Sequence, residues 1–206
     1  LRTACTPSRL RSWTCPDPET EPLASESLDQ LLAGSVFDVA RRLLGCRVRT
    51  EFGGATTEVA LTEVEAYAGA DDPASHAYRG RTARNGAMFG PPGTLYVYRS
   101  YGLHWCMNVV AGEVDVPHAV LLRGGIVTEG LGTIERRRGR FDHLTDGPGK
   151  LCEALGVTDK EDGTSVLTGP VRLLPGSLAA RHTVLATPRI GISKAADEPW
   201  RFVVAR

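Results

Sequence analysis

The stretch TLYVYRSYGLHWCMNVV, residues 94–110, is typical of two β-strands joined by a short connection. In TLYVY and LHWCMNVV the apolar side chains recur with a strand period of two, whereas RSYG between them breaks the pattern. Residues two apart on a strand share a face. One face of the predicted hairpin therefore supplies core residues, and the other carries four further side chains: Tyr96, Tyr98, Cys106 and Asn108.

The tip of this hairpin is unusual. Tyr101-Gly102 falls at the turn and Leu103 follows it. Turns favour Gly, Asn or Asp and gain nothing from a large aromatic side chain in water. Two interpretations remain open: Tyr101 folds back over the domain surface, or it is a wedge that enters a nucleic-acid helix and replaces a base in the stack.

The segments around the hairpin predict an α+β fold. Val36, Val39, Ala40, Leu43 and Leu44 recur at helical spacing, with Ser35 as a cap and Gly45 as a stop. Strands are predicted at residues 46–52 and 57–67 around a Gly53-Gly54 turn, then at AVLLRGG (119–125), VRLLP (171–175) and WRFVV (200–204). Residues 68–93 are loop-like, and GKLCEALG (149–156) predicts a short helix. We expect one domain with a curled antiparallel sheet, flanking helices and a protruding hairpin.

The length, cysteine content and hydropathy of the chain limit the class of protein. The 206 residues suit one domain, predicted at 26–206, behind a disordered extension at 1–25 that is rich in Pro, Ser, Thr and charge. Five scattered cysteines have no metal-ligand or redox spacing and indicate reduced thiols in a cytoplasm, without disulfides or a metal. No apolar run reaches membrane-spanning length, and the N-terminal residues lack an export pattern.

The charge distribution is uneven although the net charge is zero. Residues 79–140 contain nine arginines, no lysine and only four acidic residues. Arginine suits bidentate phosphate contacts better than lysine does. The alternative is a solvated basic surface without a partner. At GPGK, residues 147–150, a helix N-terminus with Lys150 could bind an anion, or it is a plain turn before a helix.

The end of the strand at 57–67 carries a carboxylate and a tyrosine. Strand periodicity places Glu65 and Tyr67 on one face, in line with Val59, Leu61 and Glu63. A carboxylate on an apolar face is costly unless it has a partner or a role. The alternative is an acid that faces solvent at a strand end, where a bulge or an edge position exposes it.

A long ordered stretch carries a family resemblance. EVEAYAGADDPASHAYRGRTARNGAMFGPPGTLYVYRSYGLHWCMNVV, with AVLLRGG, GPGKLCEALG and PRIGISKAADEPWRF after it, resembles the alkyladenine (3-methyladenine) DNA glycosylases from about Phe37 to Val203. A bacterial member is expected. The resemblance implies an enzyme that flips a damaged purine out of duplex DNA and hydrolyses its N-glycosidic bond.

The resemblance also assigns roles to residues. Glu65 matches the general base that activates water, and Arg123 a polar residue beside that water and the sugar-phosphate. The base pocket comprises Tyr67, His76, Tyr98, Asn108 and Cys106, in which Asn108 rejects the 2-amino group of guanine. Tyr101 matches the intercalating wedge, and Leu103 flanks it at a position where family members vary. Contacts to the DNA backbone are expected from Arg79, Arg81, Arg84 and Lys150.

The chemistry implied needs no cofactor and no metal. An alkylated, often cationic purine is attracted to tyrosine faces and is a good leaving group. One carboxylate and one water then imply direct displacement, as in inverting glycosidases, and without an active-site lysine no strand cleavage is expected. The expected substrates are 3-methyladenine, 7-methylguanine, ethenoadenine and hypoxanthine in double-stranded DNA, with the enzyme a monomer.

Two rival functions fit parts of the same sequence. The first is a damaged-base binding protein without activity, which has no need of Glu65. The second is a formyltransferase-like domain that binds RNA or a folate, against which the Tyr-Gly tip and the Glu-Tyr…His set argue.

Overall fold

The structure, a computed structural model, describes residues 27–205. The extension predicted for residues 1–25 lies outside them. The four helices are α1 (Leu28–Leu32), α2 (Val36–Leu43), α3 (Leu131–Arg138) and α4 (Pro148–Leu155). The strands are β1 (Arg47–Phe52), β2 (Ala55–Tyr67), β3 (Leu95–Ser100), β4 (His104–Ala111), β5 (His118–Glu129), β6 (Val171–Leu174), β7 (Val184–Thr187) and β8 (Arg201–Val204). Short 3₁₀ turns occupy Gly69–Asp71, Gly86–Phe89 and Asp159–Glu161.

The strands form one antiparallel sheet in the order β3-β4-β5-β2-β1-β6, with β8 and β7 attached beside β2. β2 organises the sheet, because β5 pairs with one of its sides from residue 58 to residue 67. On its other side β1 pairs with residues 55–60 and β8 with residues 63–65. β2 thus changes partners along its length, as a strand in a curled sheet does. The predicted α+β fold with a curled antiparallel sheet is confirmed.

The local signals around α2 and the first hairpin are also confirmed. The Ser35 hydroxyl accepts a hydrogen bond from the Phe37 amide at the start of α2, as a helix cap does. Gly53 and Gly54 connect β1 to β2 with φ of 61° and 75°. Glycine adopts these left-handed angles without steric cost, which suits a two-residue turn.

The alternation predicted for β2 is wrong in one respect. Val59 and Leu61 face the main core, but so do Val64 and Ala66, because the pairing register with β5 shifts on both sides of Glu63. A β-bulge adds one residue and moves the following side chains to the opposite face. Glu65 and Tyr67 therefore share a face with each other but not with Val59 and Leu61.

Alternation in β3 and β4 is confirmed. Leu95, Val97, Met107 and Val109 join the main core between the sheet and the helices. Tyr96 packs on the other face in a smaller cluster with Ala77, Met88 and Ala119. The hairpin thus separates the main hydrophobic core from a second, more polar face.

Three elements were not predicted, namely α1, α3 and β7, and β3 continues through Arg99 and Ser100, which the sequence had placed in the connection. Within residues 27–205, no helix is long and apolar enough to cross a membrane.

Candidate active site

Glu65 lies on β2 just after the bulge and is completely buried. Its Oε1 accepts a hydrogen bond from the backbone N–H of Ile190 at 2.8 Å and lies 3.2 Å from Nη1 of Arg123. Its Oε2 accepts a hydrogen bond from the Tyr67 hydroxyl at 2.9 Å. The carboxylate is therefore neither a solvent-facing acid nor unpartnered in the core, because two hydrogen bonds and an ion pair compensate its burial.

The charges around Glu65 hold it in an electrostatic network. Arg123 is buried and also donates from Nε to Glu63 at 2.9 Å, which in turn accepts from Arg201 at 2.7 Å. Burial alone would lower the pKa of Arg123, but the charges of Glu65 and Glu63 outweigh it and raise that pKa. Burial, and then the Glu65 charge, raise the pKa of Tyr67. The Tyr67 hydroxyl thus stays protonated and remains a donor to Glu65.

A cavity of about 410 Å³ opens in front of this network. This volume lies within the range of about 300–1,000 Å³ that is typical of small-molecule sites. All three partners of Glu65 line the cavity, so the carboxylate lies directly behind its wall. The predicted site residues that line it are Tyr67, His76, Tyr98, Cys106, Asn108 and Arg123, with Tyr101 and Arg84 at the same cavity.

Aromatic rings form one side of the cavity. The rings of His76 and Tyr98 meet edge to face with centroids 4.5 Å apart, and Tyr96 stacks on Tyr98 at 5.6 Å. His76 Nδ1 and the Tyr96 hydroxyl are hydrogen-bonded at 2.9 Å. Burial, and then the charge of Arg84, lower the pKa of His76. Its ring is therefore neutral at pH 7 and offers a flat, uncharged surface to a ligand.

Asn108 and Cys106 line the cavity from β4, as their parity predicted. The Asn108 amide is buried and donates to the Tyr96 carbonyl at 3.1 Å. This bond fixes the orientation of the amide, so that its bulk projects at a defined place in the cavity. Burial raises the pKa of the Cys106 thiol, which stays protonated near neutrality.

The hairpin tip has an uncommon backbone. Tyr101 and Gly102 have φ of 49° and 68°, and the Leu103 N–H donates to the Ser100 carbonyl across them. Two successive positive φ values are typical of a type I′ turn, where Asn-Gly is the usual pair. A tyrosine there is strained, yet its side chain is 86% exposed. The tyrosine does not fold back over the domain.

The remaining predicted DNA contacts are scattered. Leu103 is exposed and lines a separate cavity of about 360 Å³ beside Trp105 and α4. Arg79, Arg81 and Arg84 are exposed, and the Arg81 guanidinium lies over the Phe89 ring at 4.7 Å. Lys150 forms an ion pair with Asp146 at 2.9 Å.

Not all nine arginines of residues 79–140 belong to a surface. Arg123 is buried in the site, and the side chain of Arg138 is only 10% exposed and pairs with Glu153 on α4. These two arginines are therefore not part of an exposed basic surface. Within residues 27–205, no group of three or more His, Cys, Asp or Glu side chains is arranged to hold a metal ion.

Sequence reasoning missed the contribution of the loop before β8. Ile190 acts through its backbone N–H, which no residue type can signal. Arg189 and Asp72 form a fully buried ion pair beside the site. They lie 117 residues apart, and neither stands in a local pattern that would reveal its partner.

Comparisons with known sequences find related proteins over most of the chain. The sequence model of a family described as methylpurine-DNA glycosylase matches residues 30–206. A Rhodopseudomonas palustris BisB18 protein named "Putative 3-methyladenine DNA glycosylase" is 50% identical over 172 residues, covering 82% of each chain. A protein of the same name from R. palustris CGA009 is 45% identical over 95% of this chain and 93% of its own. One from Streptomyces avermitilis is 47% identical over 90% and 88%, respectively.

Proposed function

The chain belongs to the methylpurine-DNA glycosylase family, and from this premise we propose that it excises damaged purines by hydrolysis with a Glu65-activated water. The substrates are alkylated or deaminated purines in duplex DNA: 3-methyladenine, 7-methylguanine, ethenoadenine and hypoxanthine. The base leaves the stack, enters the cavity of about 410 Å³, and is separated from its sugar there.

One observation carries this proposal: a buried carboxylate stands directly behind the wall of an aromatic cavity. An ionised carboxylate offers about four lone-pair positions. Hydrogen bonds from Tyr67 and Ile190 take two of them, and Arg123 forms an ion pair with Oε1, which leaves an acceptor position for a water. Because Glu65 has no exposed surface of its own, that water would approach from the cavity between these three groups.

The reaction follows from the groups at the site. The water oxygen bonds to C1′ of the sugar while its proton passes to Glu65. The C1′–N bond breaks, and its electrons leave with the base. A cationic base becomes neutral in this way, whereas a neutral base leaves as an anion and takes a proton from solvent water, and Glu65 then returns its proton to the solvent. Arg123 holds the carboxylate in place and faces the cavity where the sugar-phosphate would lie. The products are the free base and an abasic sugar that carries a hydroxyl at C1′.

The remaining side chains hold the flipped base. Stacking on Tyr67, His76 and Tyr98 returns about 1–3 kcal/mol per base, which offsets the few kcal/mol that flipping costs. Tyr101 fills the gap left in the duplex. The lysine-free lining of the cavity among residues 27–205 favours hydrolysis over a Schiff-base route to strand cleavage.

The alternative is a protein that binds damaged bases without cutting them. Such a binder gains nothing from burying Glu65, since burial of a charge is costly and serves no recognition. The experiment that separates the two uses duplexes with one ethenoadenine, hypoxanthine or 7-methylguanine, incubated with the protein and then heated in alkali. Strand breaks only after alkali support hydrolysis, and breaks before alkali would indicate a lyase. Lesion binding without breaks in any duplex would favour the binder.

A further inference from the structure

A loop supplies one of the two hydrogen bonds that Glu65 accepts. The Ile190 N–H that reaches Oε1 belongs to residues 188–200, a segment without helix or strand between β7 and β8. Ile190, Gly191 and Ile192 from the same segment line the cavity. A loop that must hold a donor within a few tenths of an ångström of a carboxylate needs its own anchor.

The residue before Ile190 provides that anchor. The Arg189 guanidinium donates to both carboxylate oxygens of Asp72, at 2.5 Å and 2.9 Å, and to the carbonyl of Ala66 at 3.0 Å. Both side chains of the ion pair are 0% exposed. The Ala66 carbonyl belongs to the residue that follows Glu65 on β2, so the loop is tied to the strand immediately beside the general base.

Asp72 fixes the other end of the same arrangement. It lies in the turn that follows β2, where its carboxylate also accepts from the N–H groups of Ala68 and Ala74. The Arg189 guanidinium lies 4.6 Å from the ring centroid of Tyr67 and 4.8 Å from that of Trp200. The Arg189 guanidinium thus contacts the Asp72 carboxylate, the β2 backbone at Ala66, and the ring of Tyr67, whose hydroxyl donates to Glu65.

We propose that Asp72 and Arg189 are positioning residues that hold the Ile190 N–H and the Tyr67 hydroxyl on Glu65, and so set the geometry of the catalytic carboxylate. The proposal rests on the proposed function, in which Glu65 is the general base. Neither Asp72 nor Arg189 is among the residues that line the cavity. Its effect passes through two hydrogen bonds, one to each oxygen of the carboxylate.

Arg189→Lys tests the pair with the smallest change in charge. Lysine keeps a cation against Asp72 but cannot reproduce the planar, bidentate contact or reach the Ala66 carbonyl at the same time. The loop then shifts relative to Glu65. A misplacement of about 1 Å lowers a rate by about 10- to 100-fold. Asp72→Asn is the second variant, because it keeps side-chain size and an acceptor for the Ala74 N–H.

The measurement is the single-turnover rate of ethenoadenine excision with enzyme in saturating excess, followed from pH 5 to pH 8. A thermal melt gives the Tm of each variant. The rate and the burst amplitude are then recorded at a temperature well below that Tm. Donors to the ionised carboxylate stabilise that form. Misplacing two of them should move the acidic limb of the rate profile to higher pH, and loss of fold alone does not move that limb.

Arg49→Lys is the matched control. Arg49 pairs with Glu129 at 3.0 Å and with Glu58 at 3.5 Å, and Glu58 stands seven residues before Glu65 on β2, about 23 Å along the strand. Arg49→Lys should keep the parent rate and acidic limb. The inference is overturned if both test variants lose only Tm and burst amplitude while the active molecules keep the parent rate and limb. A parent-like rate in Glu65→Gln would instead overturn the proposed function itself.

Discussion

Glu65 and Tyr101 differ in almost every physical respect, although both lie at the same cavity, Tyr101 in its lining and Glu65 behind its wall. Glu65 is fully buried, lies on the longest described strand and is held by two hydrogen bonds and an ion pair. Tyr101 is 86% exposed, stands at a hairpin tip and has a positive φ that disfavours tyrosine. The carboxylate has protein partners before any ligand arrives, whereas most of the tyrosine surface is open to solvent, as the proposed wedge role requires.

This difference separates two tasks. Electrostatic groups act best when they are fixed in advance, because no reorganisation is then needed during the reaction. A wedge must instead remain exposed and accept local strain, of order 1–3 kcal/mol for such a backbone, until it enters the duplex. We therefore expect substitutions at the buried centre to change rates of excision, and substitutions at the tip to change capture of DNA.

Glu65→Gln should have the largest effect. Glutamine keeps the size and can still accept from Tyr67 and Ile190, but it cannot take a proton from water. Single-turnover excision of ethenoadenine should fall by about 10²–10⁴-fold, while affinity for the lesion duplex stays within a few-fold of the parent. A parallel loss of rate and affinity would mean that Glu65 serves binding, and the comparison with Tyr101 would fail.

Tyr101→Asn should show the opposite pattern. Asparagine suits the left-handed turn better than tyrosine, so the Tm should equal or exceed that of the parent, and that of Tyr101→Ala should be lower than that of Tyr101→Asn. Both variants lose a stacking contact worth about 1–3 kcal/mol, or about 5- to 150-fold in affinity.

Ethenoadenine fluorescence on binding reports this loss. The single-turnover rate at saturating enzyme should change much less than the affinity. An early melt of both variants would show that Tyr101 packs against the domain and is not a wedge.

The two regions were also unequally predictable from sequence. The residue preferences of turns identified the tip as unusual, since a tyrosine before Gly102 is rare in a turn whatever the rest of the fold is. The hairpin faces followed from a period of two, which short-range sterics impose. The face of Glu65 could not be obtained in this way, because the bulge at Glu63 depends on how β5 pairs with β2.

The family resemblance supplied the role of Glu65, but not the contacts that hold it. The Ile190 N–H, Asp72 and Arg189 meet only after the chain returns beside β2. Contacts made over more than a hundred residues leave no local periodicity. α3 was missed for a related reason: its only buried residue is Ile134, so it lacks the apolar stripe by which helices are recognised.

Asn108→Ala should have an intermediate effect, on selectivity. The amide that donates to the Tyr96 carbonyl projects into the cavity, and its removal makes room for the 2-amino group of guanine. The ratio of excision rates for 7-methylguanine over ethenoadenine should rise by about tenfold, with a stability cost of about 0.5–1.5 kcal/mol for the lost hydrogen bond. An unchanged ratio would assign Asn108 a structural role alone.

The smallest predicted effect concerns His76 and pH. Burial and Arg84 lower the pKa of this ring, so the folded protein takes up the His76 proton at lower pH than the unfolded chain does, for which the pKa is about 6.5. The stability that the neutral ring contributes is complete above that value and is lost as the pH falls below it. Once protonated, His76 repels a cationic base in the cavity.

Affinity for a 7-methylguanine duplex relative to a hypoxanthine duplex should therefore fall by a few-fold between pH 7 and pH 5. The ratio is measured in the Glu65→Gln background, so that neither lesion is consumed, and it cancels the general gain in phosphate attraction at low pH. The same ratio in a Glu65→Gln/His76→Gln protein subtracts any titration of the lesion itself and should stay flat. If both proteins show the same fall, the charge that excludes the cationic base lies elsewhere than on His76. The aromatic wall would then keep the same charge at every pH tested, and His76 would not control which bases bind.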